Sequence, residues 1–151
     1  MSPDGTMIAS AHLDSHVRFW SSNSKDLIHD FGEHKKSVSC VKFPNAGYLA
    51  MSASKDNSIK VIDTRTWSTL RTITDNEFRD LPSWSQFALS PDGAYVASGS
   101  GSGAVLIWTI DKGKRKKFLQ HHSTGVTSCA WSPNGLNLVS TDKEGNIAIW
   151  S

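Results

Sequence analysis

The sequence predicts an all-β chain built from a repeated unit of four short antiparallel strands, and three observations predict it. A turn-like tetrad recurs as Ser2-Pro3-Asp4-Gly5, Phe43-Pro44-Asn45-Ala46 (followed by Gly47), Ser90-Pro91-Asp92-Gly93 and Ser132-Pro133-Asn134-Gly135. Downstream of each runs an alternating apolar segment with a bulky end: Val17 to Trp20, Ile59 to Asp63, Val105 to Trp108 and Ile147 to Trp150. The prolines are spaced 41, 47 and 42 residues apart and the bulky ends 42, 46 and 42, so two independent markers keep one period.

The elements follow from turn chemistry. Proline sets φ, and Asp or Asn followed by Gly tolerates a tight turn, so the tetrad reads as the hairpin between first and second strands. Six residues before each bulky end stand Asp14, Asp56, Ser102 and Glu144, which mark the hairpin between second and third strands. In the second unit this predicts strands near 38–43, 48–52, 59–63 and 69–73. The third unit is expected at 84–89, 95–98, 104–109 and 117–119, and the fourth at 126–131, 137–140 and 146–150.

A period near 42 residues, four strands per unit and tryptophan at the end of the third strand resemble the WD-repeat pattern, whose fold is a β-propeller. The Trp-Asp dipeptide itself never occurs: the ends are Trp20-Ser21, Ile62-Asp63, Trp108-Thr109 and Trp150-Ser151. The expected organisation is a single WD-repeat region over 1–151 of about three and a half blades. It comprises a partial blade (1–33), a blade (34–73), a blade with an extended linker (74–119) and a blade lacking its last strand (120–151). Each small twisted sheet must bury both faces against neighbours. Rings of this type close with about 4–8 blades, so the chain reads as part of a longer propeller. In isolation it is expected to expose sheet faces and self-associate.

Composition narrows the function classes. Net charge is only +2, with both signs spread along the chain, which argues against a dedicated nucleic-acid binder. Two cysteines, Cys40 and Cys129, cannot staple a secreted scaffold, so a reduced, cytoplasmic setting is expected and both read as packed residues. No apolar run approaches the roughly 20 residues of a membrane span, and from the start Met1-Ser2-Pro3-Asp4-Gly5 no secretory signal is expected. No nucleophile–base set, carboxylate pair or metal-spaced cluster stands apart from the repeat, so neither catalysis nor a cofactor or metal is expected.

Several motifs need weighing. His34 and His122 each precede an apolar strand residue, Val38 and Val126, by four positions. In WD repeats such a histidine bonds a turn aspartate, a second-strand Ser or Thr, and the tryptophan indole, so a structural role is expected. The second unit offers His34, Ser52 and Asp56 but has Ile62 in place of Trp. The fourth offers His122, Ser140 and Trp150 but has Glu144 in place of Asp, so no unit is expected to hold the full set. Gly99-Ser100-Gly101-Ser102-Gly103 lacks the following helix that a phosphate loop needs and reads as a hairpin.

Two surfaces remain. Turns between second and third strands share a propeller face with the inter-blade linkers. This groups His12, Leu13, Asp14, Lys35, Lys36, Lys55 and Asp56, an apolar anchor among charges that suits a docked peptide. The other is Lys112, Lys114, Arg115, Lys116 and Lys117, expected in an exposed hairpin of the third unit. It reads as solvated or as a contact for an anionic membrane or acidic surface. No aromatics interleave with it, as nucleic acid would require. The Phe-Arg-Arg-Gly motif of phosphoinositide-binding propellers is absent, since Phe78-Arg79-Asp80 does not satisfy it.

Four stretches go beyond a generic repeat. They are Ala11-His12-Leu13-Asp14-Ser15-His16-Val17-Arg18-Phe19-Trp20, Ile59-Lys60-Val61-Ile62-Asp63-Thr64-Arg65-Thr66, Ser90-Pro91-Asp92-Gly93-Ala94-Tyr95-Val96-Ala97-Ser98-Gly99-Ser100, and Gln120-His121-His122-Ser123 with Ala130-Trp131-Ser132-Pro133. Together with the long linker before Trp84, they resemble the WD-repeat domain of the autophagy-related protein 16-like family. The resemblance covers essentially the whole chain and implies the C-terminal half of a seven-bladed ring. It further implies a cytoplasmic, non-catalytic scaffold recruited to autophagosome-forming or endolysosomal membranes. Such a scaffold docks short receptor motifs and targets lipid conjugation of an autophagy ubiquitin-like protein, with the conjugation machinery as partner. Leu13 and Lys36 align with an apolar and a lysine position on that family's functional face. The alternatives are a phosphoinositide- or membrane-binding propeller, or a WD-repeat adaptor of another pathway.

Overall fold

The computed structural model describes residues 1–45, 47–82 and 85–151. These residues form fourteen strands in four antiparallel sheets, and no helix occurs among them. Two compact units divide at residues 72 and 73. In the first, β1 (Met7–Ala11), β2 (Val17–Ser21) and β3 (Leu27–Phe31) form one sheet. A second sheet follows from β4 (Val38–Lys42), β5 (Leu49–Ser54), β6 (Ser58–Asp63) and β7 (Ser68–Thr74), whose last two residues fall past the unit boundary. The second unit holds β8 (Ala88–Leu89), β9 (Tyr95–Gly99), β10 (Ala104–Thr109) and β11 (Arg115–Gln120), then β12 (Val126–Trp131), β13 (Leu138–Asp142) and β14 (Ile147–Trp150). Every sheet is a meander in which neighbours in sequence pair in space.

The recurrent tetrad works through more than its proline and glycine. In the third unit Ser90 Oγ accepts the Tyr95 N–H at 2.9 Å, and Asp92 Oδ1 accepts the Ala94 N–H at 3.0 Å. Ser2 and Asp4 do the same for Met7 and Thr6, and Ser132 and Asn134 for Asn137 and Leu136. Serine and Asx side chains thus satisfy the amides that the turn strips of strand partners, which is why both recur.

Packing follows the strand order. In the first unit Val17, Phe19, Phe31, Val38, Ala50 and Ile62 form a buried cluster. Its centre is Phe19, fully buried, with its ring 5.0 Å from Trp67 and 6.2 Å from Phe43. Trp67 sits in the β6–β7 turn at φ 54°, which lets its indole stack on His29 of β3 at 4.5 Å. In the second unit the cluster comprises Ala88, Ala97, Val105, Ile107, Val126, Cys129 and Leu138, flanked by Tyr95, Leu119, Trp131 and Trp150. Both Cys40 and Cys129 are buried. Inner strands β5, β6 and β10 are buried along almost their whole length, whereas the outer strands β7 and β11 are mostly exposed.

The glycine-rich run is the β9–β10 hairpin, as its sequence implied. A Cβ at Gly101 would strike the Asp80 carbonyl, and one at Gly103, which has φ 87°, would strike that of His122. Close backbone approach, rather than a bound phosphate, requires these glycines.

Most expected strand ends shift by one or two residues, with β5 and β13 running on to Ser54 and Asp142, and two elements of the third unit differ in ways that matter below. Of the strand expected at 84–89, only Ala88 and Leu89 are strand; Trp84 lies outside the described residues. Ahead of it the Ser85 N–H turns back to the Pro82 carbonyl at 3.0 Å and the Gln86 N–H reaches Thr127 at 3.1 Å, so these amides do not feed β9. The fourth strand of the same sheet begins at Arg115, not Lys117, because Arg115 and Lys117 pair with Trp108 and Ile107 around a bulge. Three of the five basic residues therefore stand on an edge strand rather than in a loop.

Truncating Phe19 to alanine should lower the unfolding free energy by about 3–5 kcal/mol, read from urea denaturation. A loss below about 1 kcal/mol would mean that the ring is not the packing centre described.

Candidate interaction face

Two buried imidazoles hold the linkers onto the sheets. His34, just before β4, has a fully buried side chain and bonds Asp56 through Nδ1 at 2.9 Å and Ser52 through Nε2 at 2.8 Å. The carboxylate can only accept, so Nδ1 carries the proton and Nε2 accepts from the serine hydroxyl. Burial pushes the His34 imidazole below its ordinary value of 6.5, against the opposing pull of Asp56. Burial raises the Asp56 carboxyl, but hydrogen bonds from Ser58, the Lys35 N–H and His34 outweigh it and leave Asp56 lowered.

The fourth sheet corrects the expectation that no unit holds the full set. His122 bonds Ser140 Oγ at 2.7 Å and Asp142 Oδ2 at 3.2 Å, and the Trp150 indole donates to Ser140 Oγ at 2.9 Å. The acid is Asp142 at the end of β13, not Glu144 in the turn. Placed there, one carboxylate bonds His122 and also accepts the N–H groups of Glu144 at 3.0 Å and Asn146 at 2.9 Å. The Asn146 side chain, with these amides, holds the Asp142 carboxyl down to about 2. In the first sheet Trp20 bonds Ser10 Oγ at 2.8 Å, and His12 reaches the same oxygen at 2.7 Å. The third sheet has no such histidine: buried Trp108 packs edge-on against Phe78 of the long linker at 5.2 Å, and its Nε1 has no acceptor among the described residues.

These bonds assemble the face of the first unit. The His12 carbonyl accepts the Val38 N–H at 3.0 Å, tying the β1–β2 turn to the start of β4. The Lys35 N–H donates to Asp56 at 2.9 Å, the Lys36 carbonyl accepts from Ser54 Oγ at 2.8 Å, and the Lys55 N–H meets the Ser37 carbonyl at 3.0 Å. Main-chain groups are thus consumed while the Lys35 and Lys36 side chains stay exposed. Leu13, next after His12 in the chain, is 85% exposed. The other sequence-nominated residues are less available. His12 is half-buried on Ser10, Lys55 is half-buried, and Asp56 belongs to the His34 network.

Asp14 is exposed but engaged, since Arg18 Nη2 bonds it at 2.7 Å and holds its carboxyl below the usual range. Arg18 and Asp30, which sequence reasoning passed over, complete this network: Asp30 accepts from Arg18 Nε at 3.3 Å and lies 2.6 Å from His16. Arg18 faces Asp30 directly in the β2–β3 register, a cross-strand pairing that the opposite charges could have signalled. Lys112, Lys114, Arg115, Lys116 and Lys117 lie in the other unit, all exposed, from the β10–β11 turn into β11. No group of three His, Cys, Asp or Glu residues among the described residues could hold a metal ion, and no helix is long and apolar enough to cross a membrane.

The model of the WD domain, G-beta repeat, matches residues 1–21, 25–63, 82–109 and 113–151. The chain belongs to the WD-repeat family. The sequence is also similar to autophagy-related protein 16 along the whole of this chain. It is 32% identical to Autophagy-related protein 16 of Arabidopsis thaliana over 100% of this chain and 30% of that protein. It is 36% identical to Protein tipD of Dictyostelium discoideum, covering 97% of this chain and 25% of the relative. Protein Atg16l2 of Mus musculus is 31% identical over 95% of this chain and 23% of its own length. The chain therefore spans about a quarter to a third of the curated relatives it matches. These matches agree with the autophagy-related protein 16-like resemblance of the four stretches quoted above.

The networks carry two expected outcomes. Ser140→Ala, which strands both His122 and Trp150, should cost about 1–3 kcal/mol. Asp142→Asn should also lower the urea midpoint, whereas Glu144→Gln should leave it in place; equal effects would return the acid's role to Glu144. Stability should also fall on acidification. Because the folded-state value of His34 is depressed, the unfolded chain takes up its proton first as pH drops below about 6.5. Asp56 and Asp142, also depressed, add loss below about 4. Urea midpoints of His34→Gln should lack the first of these declines; an unaltered pH profile would contradict the assignment.

Proposed function

We propose that this chain is the motif-docking WD-repeat portion of a non-catalytic autophagy scaffold of the autophagy-related protein 16 kind. Such a scaffold works in the cytoplasm and is recruited to autophagosome-forming or endolysosomal membranes. There it docks short receptor motifs and helps to target lipid conjugation of a ubiquitin-like protein. One observation carries this reading: Leu13, 85% exposed, follows His12, whose carbonyl is bonded to Val38 two residues after exposed Lys36, and the Lys35 and Lys36 main chain is itself hydrogen-bonded. An exposed apolar anchor on a rigid support loses little conformational entropy on binding, and flanking lysines select an acidic partner motif. His12 and Asp14 act as supports, through Ser10 and Arg18, rather than as contacts. Within this reading the chain comprises a partial blade over 1–33, blades over 34–73 and 74–119, and a blade lacking its last strand over 120–151.

In the full-length protein, Leu13→Asp and Lys36→Glu should each reduce lipid conjugation at receptor-marked membranes about tenfold or more, as expected when a central contact is lost. Thermal unfolding should be unchanged because neither side chain is buried. Conjugation at wild-type levels in both variants would place docking elsewhere.

A further inference from the structure

The basic segment of the third sheet is not used by the docking face and has an arrangement that sequence alone does not reveal. Lys112 and Lys114 occupy the turn closed by the Thr109 N–H to Lys114 carbonyl bond at 2.9 Å, and Arg115, Lys116 and Lys117 continue on β11. Because β11 is the outermost strand of its sheet, pairing only with β10, its two side-chain rows and its open edge meet at one rim. The opposing acids are few. Asp75 engages Arg115 Nη1 at 3.0 Å, Glu77 lines the same depression, and Asp111 flanks the turn. Lys112, Lys114, Lys116 and Lys117 make no ion pair among the described residues. Next in the strand comes Phe118, 44% exposed, with the Arg115 guanidinium 5.7 Å from its ring centroid.

We propose that this rim docks on an anionic lipid bilayer, independently of the motif-docking reading above. Lysines on an edge strand discourage addition of another strand, so a peptide paired to β11 is a poor occupant. A broad anionic surface instead accepts both rows at once, because long lysine stems can turn their ammonium groups toward one plane. Each contributes to binding within about a Debye length, and an exposed aromatic ring beside them suits the headgroup level. Single-stranded nucleic acid would need several stacking rings among the charges, and only Phe118 is present, at one end.

The test is flotation of the protein with vesicles of phosphatidylcholine alone and of phosphatidylcholine with phosphatidylserine, over a salt series. Binding is expected to the anionic vesicles only and to fade as salt rises. Lys116→Glu with Lys117→Glu should weaken it on the order of a hundredfold or more, and Phe118→Ser should weaken it severalfold. Lys25→Glu with Lys143→Glu, an equal change of net charge at exposed lysines elsewhere, should have a much smaller effect. Unfolding curves of all variants establish that each is folded, and Phe118→Ser tests the rim without altering charge. Three results would overturn the proposal: equal loss in both charge-reversal pairs; vesicle binding unchanged while the β11 variants self-associate, which would make the lysines edge protection; or reversal-sensitive binding to polyuridylate with none to vesicles.

Discussion

A small four-stranded sheet of short strands cannot stand alone, because its inner strands are buried on both faces. What holds each of two linkers onto the sheet that follows it is a buried imidazole. His34, in its linker, bonds β5 and the β5–β6 turn, whereas His122 bonds two residues of β13. Both ring nitrogens of each imidazole meet a partner, so the buried polar atoms are satisfied. The same geometry draws the Lys35 amide onto Asp56 and leaves the lysine side chains projecting. Surface chemistry on the face is thus a by-product of satisfying a buried polar group.

The third sheet solves the problem differently. With no histidine, it fills the space with Phe78 from the long linker, packed on Trp108. The cost is an indole N–H with no acceptor among the described residues. The insertion that disturbs the repeat period near residues 74–87 is therefore a packing element. It also supplies Asp75, which fixes Arg115 and separates that residue from its lysine neighbours. The two candidate surfaces differ accordingly: one is an apolar residue on a rigid frame, the other a row of cations on a strand edge.

Much of this was legible from spacing. The tetrad placed the first hairpins and the bulky ends placed the third strands, because turns and inner strands obey local rules of φ and burial. Strand ends were legible only where such a marker sat close by. Residues 84–87 look apolar enough for a strand, yet Pro82 and Thr127 capture the amides of Ser85 and Gln86. Asp142 was missed because counting back from Trp150 leads to Glu144, whereas hydrogen-bond geometry favours an acid at the strand end that can also cap the turn. Arg18 and Asp30 were missed because their pairing depends on register.

The sequence by itself determined the all-β repeat, its family, the structural use of both histidines and the glycine hairpin. Each follows from a local pattern repeated often enough to exclude accident. Only the tertiary structure decided which side chains remain available. His12 and Asp14 are drawn into contacts, Leu13 and Lys36 are left free, and three basic residues stand on an edge strand. Availability depends on partners distant in sequence, and neither composition nor period encodes which amide or carboxylate will reach them first.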